Sequence, residues 1–328
     1  MKCAVTGGAG FIGSHLVDQL LVEGHEVIVL DNFSSGRREN LVSASSKMTV
    51  IETDLARSEN LERDLERVDW VFHLAALADI VPSIECPDQY FSSNVDGTFR
   101  VLEASRRSGV KRFVYVASSS SYGIPDLYPT PETAPINPQY PYALTKWLGE
   151  ELVMHWCSLY RMPAISLRFF NVFGSRSRTT GTYGAVFGVF LAQKLAGQPF
   201  TVVGDGSQTR DFTYVSDIVD ALIVAAKSDR SGQVYNVASG RPVSVNRLVE
   251  LLGGEVVYIP KRPGEPDCTH ADISLIEAEL GWEPKVLFEE GVEKLLEHIN
   301  EWRNAPVWTP EKIADATESW FRYLGTSD

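Results

Sequence analysis

Short apolar, β-branched runs alternate with longer segments whose apolar positions recur every three or four residues through the first third of the chain. KCAVTG precedes FIGSHLVDQLLVEG, HEVIVLDN precedes a loop, and MTVIETD precedes SENLERDLERV. DWVFHLAA then precedes a loop and NVDGTFRVLEASRRSG, and KRFVYVASS closes the series. The strand-like runs are apolar throughout rather than alternating, as expected of strands buried on both faces. Such an order predicts right-handed βαβ units and an α/β fold with a doubly wound parallel sheet, helices covering both faces.

Beyond about residue 173 the texture changes. Gly, Ser, Thr and Arg crowd into GSRSRTTGTYG, followed by helical AVFGVFLAQKLAGQ, then FTVVGDGSQTRDF, helical SDIVDALIVAAKS and strand-like QVYNVAS. The remainder mixes helices with loops rich in Pro and Gly, notably IPKRPGEPD. We expect residues 1–172 to form the large domain, with late elements at about 212–240 returning to it. Residues 173–211 and 241–328 are expected to form a smaller, interleaved C-terminal lobe. The final stretch NAPVWTPEKIADATESWFRYLGTSD opens a helix with Thr309 at its N-cap and Pro310 in its first turn. Its aromatic residues are expected to pack on the body or on a partner.

Composition narrows the functional classes. The chain has 328 residues, 44% hydrophobic and 22% charged, ordinary for a globular protein. ALIVAA is among its most apolar stretches, far short of a membrane span. Met1 leads directly into KCAVTGG, so no cleavable leader is expected. Four widely spaced cysteines and six scattered histidines give neither a disulfide framework nor metal-ligand spacing. A reducing cytoplasm and no metal are therefore expected. A net charge of −13 opposes binding to nucleic acid or to an anionic membrane. An anionic small ligand would need local arginines working against that field.

TGGAGFIGSH places Gly7, Gly10 and Gly13 between the first strand and the first helix. Glycines there permit a tight turn, close approach of backbone to a pyrophosphate and close helix–strand packing, while the helix start presents its amides to phosphate. The next strand ends in Asp31, where a carboxylate accepts hydrogen bonds from ribose hydroxyls. That carboxylate repels a 2′-phosphate and so favours NAD over NADP, although Arg37 and Arg38 keep NADP open. Asp54, after the third strand, either approaches an adenine ring or caps the following helix.

KRFVYVASSSSYG runs from a strand into four consecutive serines. Serine runs ordinarily solvate their own loop backbone, yet in a doubly wound sheet a strand end also delivers side chains to the edge where ligands bind. Residues 140–156, YPYALTKWLGEELVMHW, read as a helix opened by Pro141, with Tyr142 and Lys146 on one face. A tyrosine used as a base near neutral pH needs a cation beside it, and a lysine one turn away supplies one. An amphipathic helix with an exposed lysine is the competing reading.

TGGAGFIGSH, DNFSSG, HLAA, NVDGT, VASSSSYG, YALTK, RFFNVFG, GDGSQTRDF and RPGEP stand in this order along nearly the whole chain. Together they resemble the extended short-chain dehydrogenase/reductase family, in its NAD-dependent nucleotide-sugar epimerase and dehydratase branch. The resemblance implies a Rossmann domain with a substrate-binding lobe. It implies Tyr142 as base, Lys146 lowering its pKa and binding the nicotinamide ribose, and Ser118 hydrogen-bonding the reacting sugar oxygen. It also implies NAD contacts from Gly7, Gly10, Phe11, Ile12, Gly13, Asp31, Asn32, Ser34, Gly36, Asp54, Leu55, Leu74, Ala75, Ala76 and Asn94, besides Tyr142 and Lys146. Asn171, Arg210 and Arg262 would line the substrate diphosphate, Glu265 would bind the nucleoside ribose, and Thr269 would stand at the position that gates sugar size.

Dehydratases of this branch carry an Asp-Glu pair after the catalytic hydroxyl, because elimination of water needs an added acid and base. Ser119 and Ser120 occupy those places, now expected to contact substrate, and the glutamate usual in the decarboxylases is also absent. The pattern is most similar to the 4-epimerases of UDP-hexoses and their N-acetylated relatives, acting as homodimers through a transient 4-keto sugar with NAD regenerated. The alternatives are another NAD-dependent conversion of a nucleotide sugar, such as UDP-glucuronate decarboxylation or epimerisation, dehydration or 4-keto reduction, and a noncatalytic NAD- or sugar-nucleotide-binding regulator.

Overall fold

A computed structural model describes residues 1–41, 46–177 and 185–325. The large domain begins with β1 (Lys2–Thr6), α1 (Phe11–Val22), β2 (Glu26–Asp31), β3 (Met48–Glu52), α2 (Leu61–Asp64) and β4 (Trp70–His73). It continues with α3 (Ile80–Glu85), α4 (Pro87–Phe91), α5 (Gly97–Arg107), β5 (Arg112–Ser118), α6 (Pro141–Tyr160), β6 (Ala164–Phe169) and β7 (Asn171–Phe173). Then follow α7 (Val186–Leu195), β8 (Phe200–Val203), β9 (Thr209–Arg210), β10 (Phe212–Tyr214), α8 (Val215–Lys227), β11 (Gln233–Val237) and β12 (Val243–Ser244). The chain ends in α9 (Val245–Leu252), β13 (Val256–Ile259), α10 (Ser274–Leu280), α11 (Phe288–Glu297), α12 (Pro310–Ala316) and α13 (Glu318–Leu324).

Seven parallel strands form the central sheet in the order β11-β6-β5-β4-β1-β2-β3. The doubly wound fold expected from the alternation is therefore present. The chain leaves β1 toward β2 and β3, then restarts at β4 on the other side, so the winding reverses between β1 and β4. A crevice opens at the carboxyl ends of strands where winding reverses, and ligands bind there in folds of this kind.

Both faces of the sheet are buried. Leu16 and Leu20 of α1 and Ile218 and Leu222 of α8 fill one face, and Val101 and Leu102 of α5 and Val153 of α6 fill the other. The smaller lobe has its own aromatic core, in which Phe173, Phe187, Phe212 and Phe288 meet around stacked and edge-on rings. Segment 274–282 departs from the expected boundary of that lobe. Ile276 and Trp282 are buried against the central sheet instead, because the Trp282 indole donates to the Asp217 carbonyl at 3.1 Å and Tyr235 donates to Glu279 at 2.6 Å. Residues 178–184 of the Gly, Ser, Thr and Arg run lie outside the described residues. Thr309 caps α12 by accepting from the Lys312 amide, with Pro310 in the first turn.

Candidate active site

A cleft of about 950 Å³ runs from the glycine loop, past the end of β5 and the start of α6, to the loop 262–266. Its first end is set by backbone. Gly7, at φ +68°, turns the chain so tightly that a Cβ there would stand 2.8 Å from the Ala75 amide nitrogen, and a Cβ on Gly13 would stand 2.2 Å from the Gly7 carbonyl oxygen. Only glycine lets α1 start this close to β1 and β4, with its first amides facing the cleft. Gly7, Gly10, Phe11, Ile12 and Gly13 line that end together with Leu74, Ala75 and Ala76 from the end of β4.

Asp31 lies beneath the loop, 7% exposed, and accepts from the Ala9 amide at 2.9 Å and the Phe33 amide at 2.8 Å. Burial pushes its carboxyl above the usual range while the two amides pull it back. Asn32, Ser34, Asp54 and Leu55 also line the cleft. Gly36 packs behind Asp31, where a Cβ would lie 2.9 Å from its Oδ1. Arg38 pairs with Glu52 and lies over the Phe33 ring, whereas Arg37 lines the cleft. Asp54 caps no helix: its Oδ1 accepts from the Ala56 amide at 3.0 Å, and α2 begins only at Leu61.

Asn94, expected among the cofactor contacts, sits behind the cleft wall. It is 1% exposed, accepts from the Leu77 amide, and donates to the Leu77 carbonyl and to Thr145. Its amide group is consumed in tying the loop after β4 to α6. It shapes the cleft from behind rather than lining it.

The central section carries the hydroxyls. Ser118 ends β5, and its Oγ shares a 2.8 Å hydrogen bond with Ser120 Oγ across a single 3-10 turn. That turn puts Ser118, Ser119 and Ser120 on the cleft wall. Ser121 and Tyr122 turn inward, the latter donating to Asn236 at 2.7 Å. Pro141 opens α6, so Tyr142 enters the cleft from the first turn, its ring stacked with Tyr140 at 6.4 Å and 9°.

Lys146 follows one turn below, 4% exposed, with its ammonium 4.4 Å from the centre of the Tyr115 ring. Gly149 makes room for this arrangement, since a Cβ there would stand 2.2 Å from the Tyr115 oxygen. Burial pushes Tyr142 up, the hydrogen bond with Ser118 pulls it down, and Asp79 pushes it up again. Burial also brings Lys146 down to about 7, against an upward pull from Glu150. Desolvation dominates both groups because the helix start is pressed onto β5.

The far end is cationic. Arg210 and Arg262, with side chains only 10% and 12% exposed, line the cleft rather than the outer surface. Glu265 stands between them, accepting from Arg210 at 2.8 Å and lying 3.6 Å from Arg262. Two guanidinium groups beside one carboxylate suit a diphosphate. Asn171 faces the same space, its Oδ1 accepting from Thr269 at 2.8 Å. Thr269 is thereby held by Asn171 and by the Asp211 amide at 3.0 Å, on the cleft wall.

Further lining residues escaped the sequence reading: Tyr140, Asp79, Arg176, Trp308 and Trp320. Tyr140 alone had a legible signal, two residues before Tyr142 at a helix start. Among the described residues no cluster of His, Cys, Asp and Glu is arranged to hold a metal, and no helix is long and apolar enough to cross a membrane.

Comparison with known proteins gives the family. The NAD dependent epimerase/dehydratase family matches residues 3–238. The UDP-glucose 4-epimerase of Mycolicibacterium smegmatis is 38% identical over 307 residues, covering 90% of this chain and 98% of that protein. UDP-glucuronic acid decarboxylase 1 of Arabidopsis thaliana is 35% identical over 315 residues, covering 93% of this chain and 70% of that protein. The crystal structure of UDP-glucose 4-epimerase with UDP-glucose from Thermotoga maritima superposes with a TM-score of 0.87 at 36% identity, covering 92% of this chain and 99% of that one. The chain belongs to the NAD dependent epimerase/dehydratase family, and NAD is its cofactor.

Proposed function

We propose that this family member inverts C4 of a UDP-hexose or UDP-N-acetylhexosamine by reversible oxidation through a 4-keto sugar. One observation carries the reading: the hydroxyls of Ser118 and Tyr142 share a cleft with Arg210 and Arg262, and the places that dehydration needs as acid and base hold Ser119 and Ser120. Small hydroxyls in those places can hold a sugar but cannot drive elimination at ordinary pKa values.

The glycine loop is a cradle that a Cβ would fill, and Asp31 sits at its base, so these residues fit a dinucleotide. Gly7, Gly10 and Gly13 would hold its pyrophosphate, Asp31 a ribose, and Lys146 the other ribose. When bound, NAD supplies the hydride acceptor for oxidation and the donor for reduction. Arg210, Arg262 and Asn171 bind the diphosphate and so tether the sugar while its ring turns over. Ser118 hydrogen-bonds the C4 oxygen and shares its proton with Tyr142. Tyr142 removes that proton as the carbonyl forms, then returns it when the carbinol is restored. A cation beside the phenol is needed to bring its raised pKa down, and protonated Lys146 is the cation within one helical turn.

The outer faces of α4 to α6 expose Phe91, Phe99, Leu144, Leu159 and Tyr160, a surface that suits a homodimer. The four cysteines are free thiols, which suits a reducing compartment such as the cytoplasm.

The test is NMR of products after incubating purified protein with UDP-glucose, UDP-galactose and their N-acetylated and uronic forms. Interconversion of a C4 pair without added cofactor supports the proposal. Release of carbon dioxide from the uronic form would favour the decarboxylase reading that the Arabidopsis relative raises, and a stable keto product would favour dehydration.

A further inference from the structure

Residues 310–325 cross from the smaller lobe to the large domain. Ile313 of α12 is buried in the lobe's aromatic core. Thr317, 1% exposed, donates to the Ile313 carbonyl at 2.7 Å and turns the chain into α13. That helix lies against α3 of the large domain, where the Ser319 hydroxyl donates to Glu85 at 2.9 Å. The two lobes that flank the cleft are thus tied together by this strap.

Trp320 is the strap's inward residue. It is 4% exposed and its indole nitrogen donates to the Pro263 carbonyl at 2.7 Å, which locks the ring. The Arg262 guanidinium lies 5.4 Å from the ring centre and the Tyr140 ring 6.4 Å away, and Trp320 itself lines the cleft. Tyr140 in turn stacks on Tyr142. One indole therefore touches both the arginine that faces the diphosphate and the ring that backs the proposed base. An aromatic face under a guanidinium holds its plane without neutralising its charge.

We propose that Trp320 is a positioning residue for the nucleotide sugar, holding Arg262 toward the diphosphate and Tyr140 against Tyr142. The inference rests on the nucleotide-sugar reading above. It assigns α13 to substrate binding and leaves the dinucleotide end, formed by the glycine loop and Asp31, independent of the tail.

The experiment compares wild type, Trp320→Ala, Trp320→Phe and Ser319→Ala, all loaded with NAD, by calorimetric titration with UDP and by steady-state kinetics with UDP-glucose. Trp320→Ala is expected to weaken UDP binding and raise KM by about tenfold or more, with NAD content unchanged and kcat reduced much less. Trp320→Phe, which keeps an aromatic face, should restore most of the affinity. Ser319→Ala loosens the strap without altering the cleft wall and should raise KM modestly at an unchanged melting temperature; it carries the test if Trp320→Ala does not fold, and an unchanged KM in it then counts against the proposal. UDP affinity and KM both unchanged in Trp320→Ala overturn the role of Trp320 alone. Failure of wild type to bind UDP overturns the nucleotide-sugar reading and this inference with it.

Discussion

Glu150 stands one helical turn beyond Lys146 on α6 and holds the guanidinium of Arg168, whose Nε lies 3.1 Å from each carboxylate oxygen. Both side chains are buried, at 2% and 7% exposure, and Ser166 donates to the same carboxylate at 2.8 Å. The pair joins α6 to β6 and places a negative charge where it favours protonated Lys146. A structural bond is thus also part of the electrostatics beneath the proposed base.

Glu150→Gln leaves the Arg168 charge buried with one partner fewer. Loss of one member of a buried pair costs about 3–5 kcal/mol. A fall of that order in urea-unfolding free energy is expected. Catalysis should suffer separately, because the pull that favours the Lys146 ammonium is gone; the pH profile of kcat should narrow on its alkaline side. A variant with wild-type stability would mean the pair contributes nothing net.

Lys146 makes a prediction with a definite sign. Its folded pKa is about 7 against 10.5 for a free lysine, so between those values the unfolded chain binds more protons than the folded one. Stability therefore rises with pH across that window, and the cost of burying the ammonium is fully present below pH 7. Lys146→Met removes that cost. In cofactor-free protein the variant should be more stable than wild type at pH 6, and the advantage should shrink steadily toward pH 10. Thermal unfolding of both proteins over this range tests the sign. An advantage that grew with pH would contradict the burial seen here.

How far the molecule could be read from its sequence follows from the range of the interactions involved. The doubly wound parallel sheet and the glycine loop were legible because tight turns and doubly buried strands leave local marks: Gly13 must be glycine within a few residues of the Gly7 carbonyl it would otherwise strike. The shared face of Tyr142 and Lys146 was legible for the same reason. Their protonation was not, because spacing says nothing of desolvation by β5. The hydrogen-bond partners of Asn94 were not legible either, since Leu77 and Thr145 lie 17 and 51 residues away. Trp320 was expected to pack the tail down, but the surface it covers was not legible, since its partner Pro263 is 57 residues distant and no periodicity tells a tail where to lie.

Gly13→Ala tests the loop. The added methyl would stand 2.2 Å from a backbone oxygen that no side-chain rotation can move. Overpacking of this kind costs about 1–3 kcal/mol, and relief requires α1 to back away from Gly7. The variant should purify with little or no bound NAD, as read from absorbance after denaturation, while far-ultraviolet circular dichroism stays native. Full NAD content would show that the cradle has slack.

Asp31→Asn keeps the volume but cannot offer two acceptors to the amides of Ala9 and Phe33. One amide then faces an NH2 group, so the loop loses a bond as well as a charge. NAD affinity should fall by about tenfold or more, the equivalent of at least ~1.4 kcal/mol, and the preference against NADP should weaken because the carboxylate no longer repels a 2′-phosphate. Wild type should show a related effect with acid. Burial raises the Asp31 pKa above that of a free aspartate, so NAD affinity should begin to drop at a higher pH than an exposed carboxylate would allow.

Tyr142→Phe removes the proposed base and leaves its ring stacked on Tyr140. Loss of a positioned proton acceptor typically slows a reaction about 10²–10⁴-fold, so kcat for UDP-glucose should fall into that range while KM and bound NAD stay near wild type. Ser118→Ala should cost less. Ser118 shares the proton instead of taking it, and Ser120, hydrogen-bonded to it at 2.8 Å, remains as a nearby hydroxyl. The two substitutions together should cost less than the product of their separate effects, because each removes part of one relay. If Ser118→Ala proved as damaging as Tyr142→Phe, the serine would have to be the group that takes the proton. Near-normal turnover in Tyr142→Phe would remove the phenol from the mechanism altogether.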